Sequence, residues 1–189
     1  MSALYLFFVA AVWVFLTLLL WRTWCRWRVK EGGSPRTRDA IALFIGALWF
    51  GASFWYAGGR TIYYDMEVNR LCKQDGGVKV YEQVKLPAER FDKWGNVGVP
   101  NKRHAKPSDD YYFETEIRYL RTGNPSLQRA STVLVRRSDG KVLGESVRYG
   151  RGGGDLPGPW HGSSFSCPSI GEAEGSLETS IFLIAKNLK

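Results

Sequence analysis

Cysteine, histidine and methionine are scarce in this chain of 189 residues, which has three Cys, two His and two Met. Three cysteines allow only one intramolecular disulfide, so the chain is not a small scaffold stabilised by several bridges. His104 and His161 have no Cys or carboxylate at ligand spacing, whereas catalytic zinc usually takes three protein ligands. We therefore expect no metal site and no cofactor.

Motifs of hydrolytic and phosphate-binding enzymes are also missing. The sequence contains no G-x-S-x-G motif, and its glycine-rich run at 150–155 lacks the Lys-Ser/Thr ending of a P-loop. Two prolines follow that run, so no helix N-terminus is available there to hold an anion. We expect no catalytic residues and therefore no enzymatic activity.

Charged residues are absent from two long stretches, residues 1–21 and 40–59. A helix of the second stretch's length, with a rise of about 1.5 Å per residue, spans the roughly 30 Å hydrocarbon core of a bilayer. A cleaved signal peptide is the alternative for the first stretch, but no basic residue precedes it and no small-residue cleavage site ends it. Buried core helices are the alternative for the second. Two such stretches in so short a chain predict two transmembrane helices.

Polar groups are rare inside these stretches, where only the hydroxyls of Thr17 and Ser53 lie deep. This scarcity argues against transport, because an ion path needs polar or ionisable groups within the membrane. The second stretch also has small residues at four-residue spacing, which places each pair on one helix face that a partner helix can approach. These pairs are Ala42 with Gly46 and Ala47 with Gly51. The alternative is that Gly and Ala are simply common in membrane helices.

The segment 22–39 between the two stretches is strongly basic, with six Lys or Arg and two Asp or Glu. The positive-inside rule places this segment in the cytoplasm, which leaves both termini and residues 60–189 outside. The whole chain has a formal net charge of +8, and half of that excess lies in this segment. The rest is too weakly basic to indicate a nucleic-acid partner.

The positions of the cysteines agree with this topology. Cys25 lies in the basic segment, whereas Cys72 and Cys167 both lie in the predicted outer region. An oxidising compartment would let Cys72 pair with Cys167 and would leave Cys25 reduced on the other side. The alternative is that Cys72 and Cys167 are buried free thiols.

Residues 60–189 are predicted to form an α+β domain with a mainly antiparallel sheet. Residues 61–72 have apolar side chains at helical spacing and predict a juxtamembrane helix that continues the second transmembrane helix. Asp139 followed by Gly140 favours a two-residue type I′ turn within a hairpin. Segments 87–110 and 150–162 are rich in breakers and predict loops. The predicted strands are residues 78–86, 112–120, 131–137, 141–149 and 177–185.

Aromatic and basic residues are frequent in the predicted loops, which is typical of interaction surfaces. The alternative is that these side chains pack over the sheet edges and hold the loops in place. The candidates for partner binding are Trp94, Arg151, Trp160 and His161.

These observations predict an α+β membrane protein with four parts. They are a transmembrane helix (1–21), a basic cytoplasmic loop (22–39), a second transmembrane helix (40–59) and a periplasmic domain (60–189). We expect a membrane-anchored interaction or scaffold protein, an accessory subunit of an inner-membrane or envelope complex in a bacterium. Its expected partners are membrane lipid and one or more proteins that contact the outer domain and the second helix. The alternatives are an immunity-type inhibitor of a toxin that acts in the periplasm and a cell-envelope enzyme.

Overall fold

The computed structural model describes residues 2–29, 35–156, 162–169 and 177–185. It is an α+β fold in which two long apolar helices precede a mainly antiparallel sheet. The described chain divides into two compact units. The first unit contains the chain up to Arg60 and a short segment that begins at Asp155, and the second contains Thr61–Gly154 and the described residues from Ser163 onward.

Two helices, α1 (Ser2–Val29) and α2 (Pro35–Phe54), make up most of the first unit. α1 contains neither Gly nor Pro, and Pro35 opens α2 at the first helical position, where no N–H donor is needed. At about 1.5 Å per residue the helices are roughly 42 Å and 30 Å long. Both are long and apolar enough to cross a membrane.

The apolar side chains of α1 and α2 face outward. In each helix, no residue of the most apolar window of 18 residues is buried within the chain. A core helix of a soluble protein has the opposite property, because its apolar stripe packs against neighbouring elements. The exposure of these two helices is therefore typical of surfaces that another apolar phase covers.

The basic segment that was predicted to be a loop is helical over much of its length. α1 does not end at Trp21 but continues to Val29, and its last turn includes Arg26 and Arg28. α2 begins at Pro35, ahead of the predicted start of the second apolar stretch. The basic side chains on both sides of the segment between α1 and α2 thus belong to the ends of these two helices.

The predicted helix at 61–72 is confirmed and is longer than expected. α2 passes through a π-helical turn, Trp55–Gly59, into α3, Arg60–Asp75. The N–H of Gly76 donates to the carbonyl of Cys72 over 2.8 Å, and the next residue, Gly77, has a φ of +106°. Glycine adopts this conformation without a steric penalty, so it ends the helix.

A five-stranded antiparallel sheet forms the centre of the second unit. The strands of this sheet are β1 (Gly77–Val80), β3 (Tyr111–Arg121), β4 (Ser126–Arg136), β5 (Val142–Gly152) and β6 (Ser164–Cys167). β5 pairs with β4 along one edge and with both β1 and β6 along the other, and β3 pairs with β4. A separate parallel pair consists of β2 (Val84–Leu86) and β7 (Phe182–Ile184).

The prediction of one continuous strand at 78–86 is wrong. The N–H groups of Tyr81 and Glu82 both donate to the carbonyl of Leu143, over 2.8 Å and 2.9 Å. This shared acceptor marks the point where the chain leaves the edge of β5, and the following residues pair instead with β7. The predicted strand is therefore divided between two sheets.

The prediction of a strand at 177–185 is wrong for its first half. Residues 177–181 are helical, and the side chains of Leu177 and Ile181 lie on one face at i,i+4 spacing and are buried. Only β7 is extended. Of its residues Phe182 is buried, whereas Leu183 and Ile184 are exposed rather than part of the core.

The hairpin of β4 and β5 is confirmed, but its predicted two-residue turn is wrong. A type I′ turn needs positive φ at both central residues. Gly140 has a φ of +67°, whereas no residue other than glycine has a positive φ among those the structure describes, so Asp139 does not qualify. The N–H of Arg136 donates instead to the carbonyl of Lys141 over 2.9 Å, which closes a longer loop. β5 also extends to Gly152, into the segment predicted as a loop.

Two hydrophobic clusters stabilise the second unit. The first packs Ile181 and Phe182 against Leu134 and Leu143 of the sheet. The second packs α3 against β4 and β5, where Val68 meets residues that include Leu127, Val147 and Tyr149. Each fully buried Leu, Ile or Val side chain contributes about 1.5–3 kcal/mol. The two clusters thus anchor a helix and a small sheet on the five-stranded sheet.

Candidate interaction surfaces

β3 is the outermost strand of the five-stranded sheet and pairs with β4 alone among the described strands. Among the residues that the structure describes, only its first part has a neighbour on the outer edge. The N–H of Phe113 donates to the carbonyl of Pro100 over 3.0 Å, and the N–H of Lys102 donates to the carbonyl of Phe113 over 2.8 Å. The backbone groups of Phe113 therefore point away from β4.

The rest of the outer edge of β3 is open. Backbone groups of residues two apart in a strand point the same way, so those of Thr115, Ile117 and Tyr119 also point away from β4. No described strand pairs with them on that side. An unpaired row of N–H and C=O groups is a template for pairing with another strand.

Apolar side chains are exposed along the same half of β3. The alternation in its sequence predicts one apolar face, yet only Tyr111 and Phe113 pack against the first hydrophobic cluster. Ile117 is 55% exposed and Tyr119 is 59% exposed, and Leu120 is exposed beside them. An open edge with exposed apolar side chains is typical of an interaction surface.

The charged side chains of β3 differ in whether they have partners. Glu114 forms an ion pair with Lys102 over 2.8 Å. Glu116 and Arg118, which lie on the same face further along, form no ion pair with any other described residue. Within the described part of the chain, the open half of β3 thus has one unpaired charge of each sign.

Trp94 lies on a tight turn that displays it to solvent. The carboxylate of Asp92 accepts the backbone N–H groups of Trp94 and Asn96, each over 2.8 Å. These hydrogen bonds, that from Asn96 first, hold the pKa of Asp92 below its ordinary value. Trp94 is 74% exposed, with the Lys93 ammonium 4.9 Å from its ring centre. The geometry is compatible with its predicted role in binding, which stays a prediction.

Arg151 lies in the interior rather than on a surface. Its side chain is 3% exposed, and its Nε lies 2.5 Å from a carboxylate oxygen of Asp65 on α3. It also donates to the carbonyl of Gly153 and, over 3.1 Å, to the hydroxyl of Ser163. Arg151 therefore joins α3 to the end of β5 and is almost fully withdrawn from the surface. The other two loop candidates, Trp160 and His161, lie outside the described residues.

A closed ring of four hydrogen bonds joins α1 to α2. The indole N–H of Trp13 donates to the hydroxyl of Ser53 over 2.9 Å, and this hydroxyl donates to the carbonyl of Trp49 over 2.7 Å. The indole N–H of Trp49 donates in turn to Thr17 over 3.2 Å, and Thr17 donates to the carbonyl of Trp13 over 2.8 Å. Each helix thus contributes one Trp and a hydroxyl four residues later. The ring satisfies all four polar side chains, as an apolar surrounding requires.

The small residues of α2 lie in two different places. Ala42 and Gly46 line an open groove of about 840 Å³ between α1 and α2, which Trp24 and Trp49 also line. Ala47 is exposed, and a Cβ built on Gly51 would meet no atom within 4 Å. The approach of a partner helix to these residues stays a prediction.

A network of polar side chains joins the end of α3 to the sheet. The hydroxyl of Tyr149 donates to Asp75 over 2.6 Å, and Arg129 lies 3.3 Å from the other oxygen of Asp75. The hydrogen bond from Tyr149, more than the ion pair with Arg129, holds the pKa of Asp75 below its ordinary value. The hydroxyl of Ser131 is the main cause of a lowered pKa at Glu145. Hydrogen bonds from neighbouring side chains thus stabilise the ionised form of both carboxylates.

Cys72 and Cys167 form a disulfide that joins α3 to β6. Both cysteines pack against the second hydrophobic cluster. Cys25 on α1 is a free thiol. The pairing is the one that the sequence analysis predicted.

Comparison with protein-family models, with curated proteins and with solved structures finds no match to this chain. In the part of the chain that the structure describes, no group of three or more His, Cys, Asp or Glu side chains is arranged to hold a metal ion. The described residues expose apolar and aromatic side chains in three places. These are the open edge of β3, the exposed Trp94 and the apolar helices.

The open edge of β3 is the feature that sequence reasoning missed. The alternation of apolar and charged residues identified the strand, but it does not tell which strands lie at an edge. The hydrogen-bonded ring of α1 and α2 did have a signal in the sequence. Trp followed four residues later by Thr or Ser occurs once in each apolar stretch.

Proposed function

We propose that this protein is a membrane-anchored interaction protein, with α1 and α2 spanning the inner membrane of a bacterium and the second unit in the periplasm. The observation that carries the proposal is that no residue in the most apolar window of either helix is buried within the chain. Each Å² of apolar surface left in water costs about 25 cal/mol of free energy, so helices of this composition need an apolar surrounding. Lipid provides it.

The charges and the cysteines support the orientation. Basic side chains lie at the end of α1 and the start of α2, including Arg28 and Arg38, and the positive-inside rule assigns this end to the cytoplasm. The disulfide of Cys72 and Cys167 suits an oxidising compartment, whereas Cys25 is free. Both termini then lie in the periplasm.

The exposed groups of the second unit support binding rather than catalysis. Trp94 and the open half of β3 present aromatic and apolar side chains to solvent. The polar cluster at Asp75 has its hydrogen bonds satisfied internally. Such a domain suits an accessory subunit that docks on a partner within an envelope complex.

The orientation is tested by labelling thiols in cells whose outer membrane alone has been made permeable. An impermeant maleimide should not label Cys25 until the inner membrane is opened. Arg103→Cys, at an exposed position of the second unit, serves as the matched reporter and should be labelled at once. Labelling of Cys25 before that opening, with no labelling of the reporter, would contradict the orientation.

The interaction role is tested by purification of the full-length protein in mild detergent. We expect membrane proteins to co-purify in stoichiometric amount, and Trp94→Ala to weaken at least one of these contacts without loss of the disulfide. Recovery of the protein alone, with the same result for Trp94→Ala, would contradict the role. Recovery with a single foreign protein would favour the inhibitor alternative instead.

A further inference from the structure

The open edge of β3 has the geometry that self-pairing requires. In an antiparallel pair related by a two-fold axis, one residue lies opposite itself, and residues equally distant on either side of it lie opposite each other. The backbone groups that point outward belong to Thr115, Ile117 and Tyr119. A pair centred on Ile117 therefore brings outward-pointing groups together at all three positions and forms about six main-chain hydrogen bonds.

The charges of β3 distinguish this register from its neighbours. With Ile117 at the centre, Glu116 lies opposite the partner's Arg118, and symmetry makes this contact twice. A centre at Glu116 or at Arg118 would place that charge against itself. A centre at Thr115 would place Glu114 opposite the partner's Glu116. Directly opposed like charges destabilise a sheet and opposed unlike charges stabilise it.

Registers centred beyond Arg118 are excluded by the shape of the strand. The pairing of β3 with β4 shifts between Tyr119 and Arg121, which marks a bulge. A bulge bends the strand and interrupts the regular row of hydrogen-bonding groups. At the other end, the segment at Pro100–Lys102 already occupies the edge beside Phe113. The available edge is thus limited to residues 115–119.

We propose that this edge binds β3 of a second copy of the same chain, in an antiparallel pair centred on Ile117. The exposed Ile117 side chains of the two copies then lie opposite each other, and each exposed Tyr119 lies opposite the partner's Thr115. Glu116 and Arg118 gain the partners that they lack within the described part of the chain. The contacts that it uses all belong to the second unit, whereas the sufficiency of so short an edge rests on the proposed membrane anchoring.

Self-complementarity favours a second copy over a strand from another protein. The same five residues supply the hydrogen-bonding groups, the apolar contact and both charges, and all of them match when the strand meets itself. An edge of five residues buries less than the roughly 1,200 Å² of a stable soluble interface. Two chains anchored in one membrane meet at a high effective concentration, so a weak contact suffices there.

A single cysteine at the two-fold axis tests the register. In full-length protein in membranes, with Cys25→Ser to remove the free thiol, Ile117→Cys should form a covalent dimer with a short bifunctional maleimide. Tyr119→Cys is the matched control, because position 119 is almost equally exposed but lies about 14 Å along the strand from its symmetry mate. Equal dimer yields for the two variants, or no dimer for either, would overturn the proposal.

Charge reversal tests the specificity. In the Ile117→Cys background, Glu116→Arg or Arg118→Glu alone places like charges opposite each other at two positions, which should weaken dimerisation about tenfold. The double reversal, Glu116→Arg with Arg118→Glu, restores complementary pairs and should restore the dimer. Retention of the Cys72–Cys167 disulfide on a non-reducing gel reports that each variant is folded. Equal yields for single and double reversals, or a covalent product with a different protein, would refute self-pairing.

Discussion

The buried ion pair of Arg151 and Asp65 makes a sharp prediction about stability. Asp65→Ala removes the carboxylate that lies 2.5 Å from the Arg151 Nε. The guanidinium then stays in a site where its side chain is only 3% exposed. It retains the carbonyl of Gly153 and the hydroxyl of Ser163 as acceptors, but it loses its counter-charge.

Loss of one partner of a fully buried ion pair costs about 3–5 kcal/mol. Asp65 is 32% exposed, so water can reach the space that its carboxylate leaves and lowers this cost. We therefore expect Asp65→Ala to reduce the free energy of unfolding of the second unit by about 2–3 kcal/mol. Arg151→Met leaves the acceptors at Gly153 and Ser163 without their donor, and it should cost a similar amount.

A double-mutant cycle separates the pair from these other effects. The combined variant, Asp65→Ala with Arg151→Met, has no uncompensated charge and should be more stable than the sum of the single changes implies, by about 1–2 kcal/mol. Pulse proteolysis of the full-length protein in detergent, over a series of urea concentrations, measures the folded fraction of the second unit. This readout does not require the two units to unfold together.

Glu67→Ala is the matched control on the same helix. Glu67 pairs with Arg70 over 2.6 Å at i,i+3 spacing, but Arg70 is exposed and solvent screens the pair, so the loss should be much smaller than that of Asp65→Ala. If Asp65→Ala lowers the free energy of unfolding no more than Glu67→Ala does, the ion pair of Asp65 with Arg151 does not stabilise the second unit. Strict additivity in the cycle would refute the direct coupling of Asp65 and Arg151.

Three further predictions concern other contacts. Cys72→Ala should lower the free energy of unfolding by about 4 kcal/mol, because its disulfide closes a loop with a sequence separation of 95; urea unfolding with and without reductant measures it. Thr17→Val removes the acceptor for the indole of Trp49 and should weaken the helix pair by about 0.6–1.7 kcal/mol, measured by detergent-induced unfolding. Tyr149 is the main cause of the lowered pKa of Asp75. The stability that Asp75 contributes is therefore present above its ordinary pKa of about 3.9, and it is lost as the pH falls through the lowered pKa. Tyr149→Phe should flatten that acid dependence, measured by unfolding at a series of pH values.

Each of these three has a result that would contradict it. Reductant should destabilise the natural chain but leave Cys72→Ala unchanged, and an equal response of both would exclude the disulfide. Thr17→Ser keeps the hydroxyl, so it should behave like the natural chain and unlike Thr17→Val. An acid dependence that Tyr149→Phe leaves unaltered would show that another group controls it.

The elements that sequence reasoning found are those with strong local patterns. β3 alternates apolar and charged residues along its length, and α1 combines helix-forming residues with the absence of breakers. The disulfide was also predictable, because only Cys72 and Cys167 fall on the same side of the apolar stretches. In all three cases the information lies within the element or in its order along the chain.

The elements that were predicted wrongly depend on distant partners. Residues 78–86 look like one strand, but Val78 pairs with Ser146 while Val84 pairs with Phe182, and nothing local marks the division. The apolar run around Ile181 suits a helix or a strand equally, because short apolar runs have no decisive period. Its helical form follows from where its buried side chains meet the sheet.

The burial of Arg151 was also not predicted, because it too depends on a residue that is distant in the sequence. Arginine is seldom buried unless it is paired. Its partner, Asp65, lies 86 positions earlier, on a helix whose contact with β5 is a tertiary property. A basic residue within a glycine-rich run looks like a surface residue until that partner is known. The sequence pattern therefore singled out Arg151 but predicted a surface position for it, whereas its side chain is buried.

The lengths of the elements explain why half of β3 stays uncovered. β3 has 11 residues and extends about 37 Å, whereas β2 and β7 have three residues each and extend about 10 Å. The small sheet and its adjoining helical turn therefore meet β3 only near Tyr111 and Phe113. The next apolar residues on that face, Ile117 and Tyr119, lie about 14–20 Å further from Phe113 along the strand and have no described layer above them. The part of a strand that no layer covers must face either solvent or another molecule. The exposed apolar side chains of β3 favour contact with another molecule.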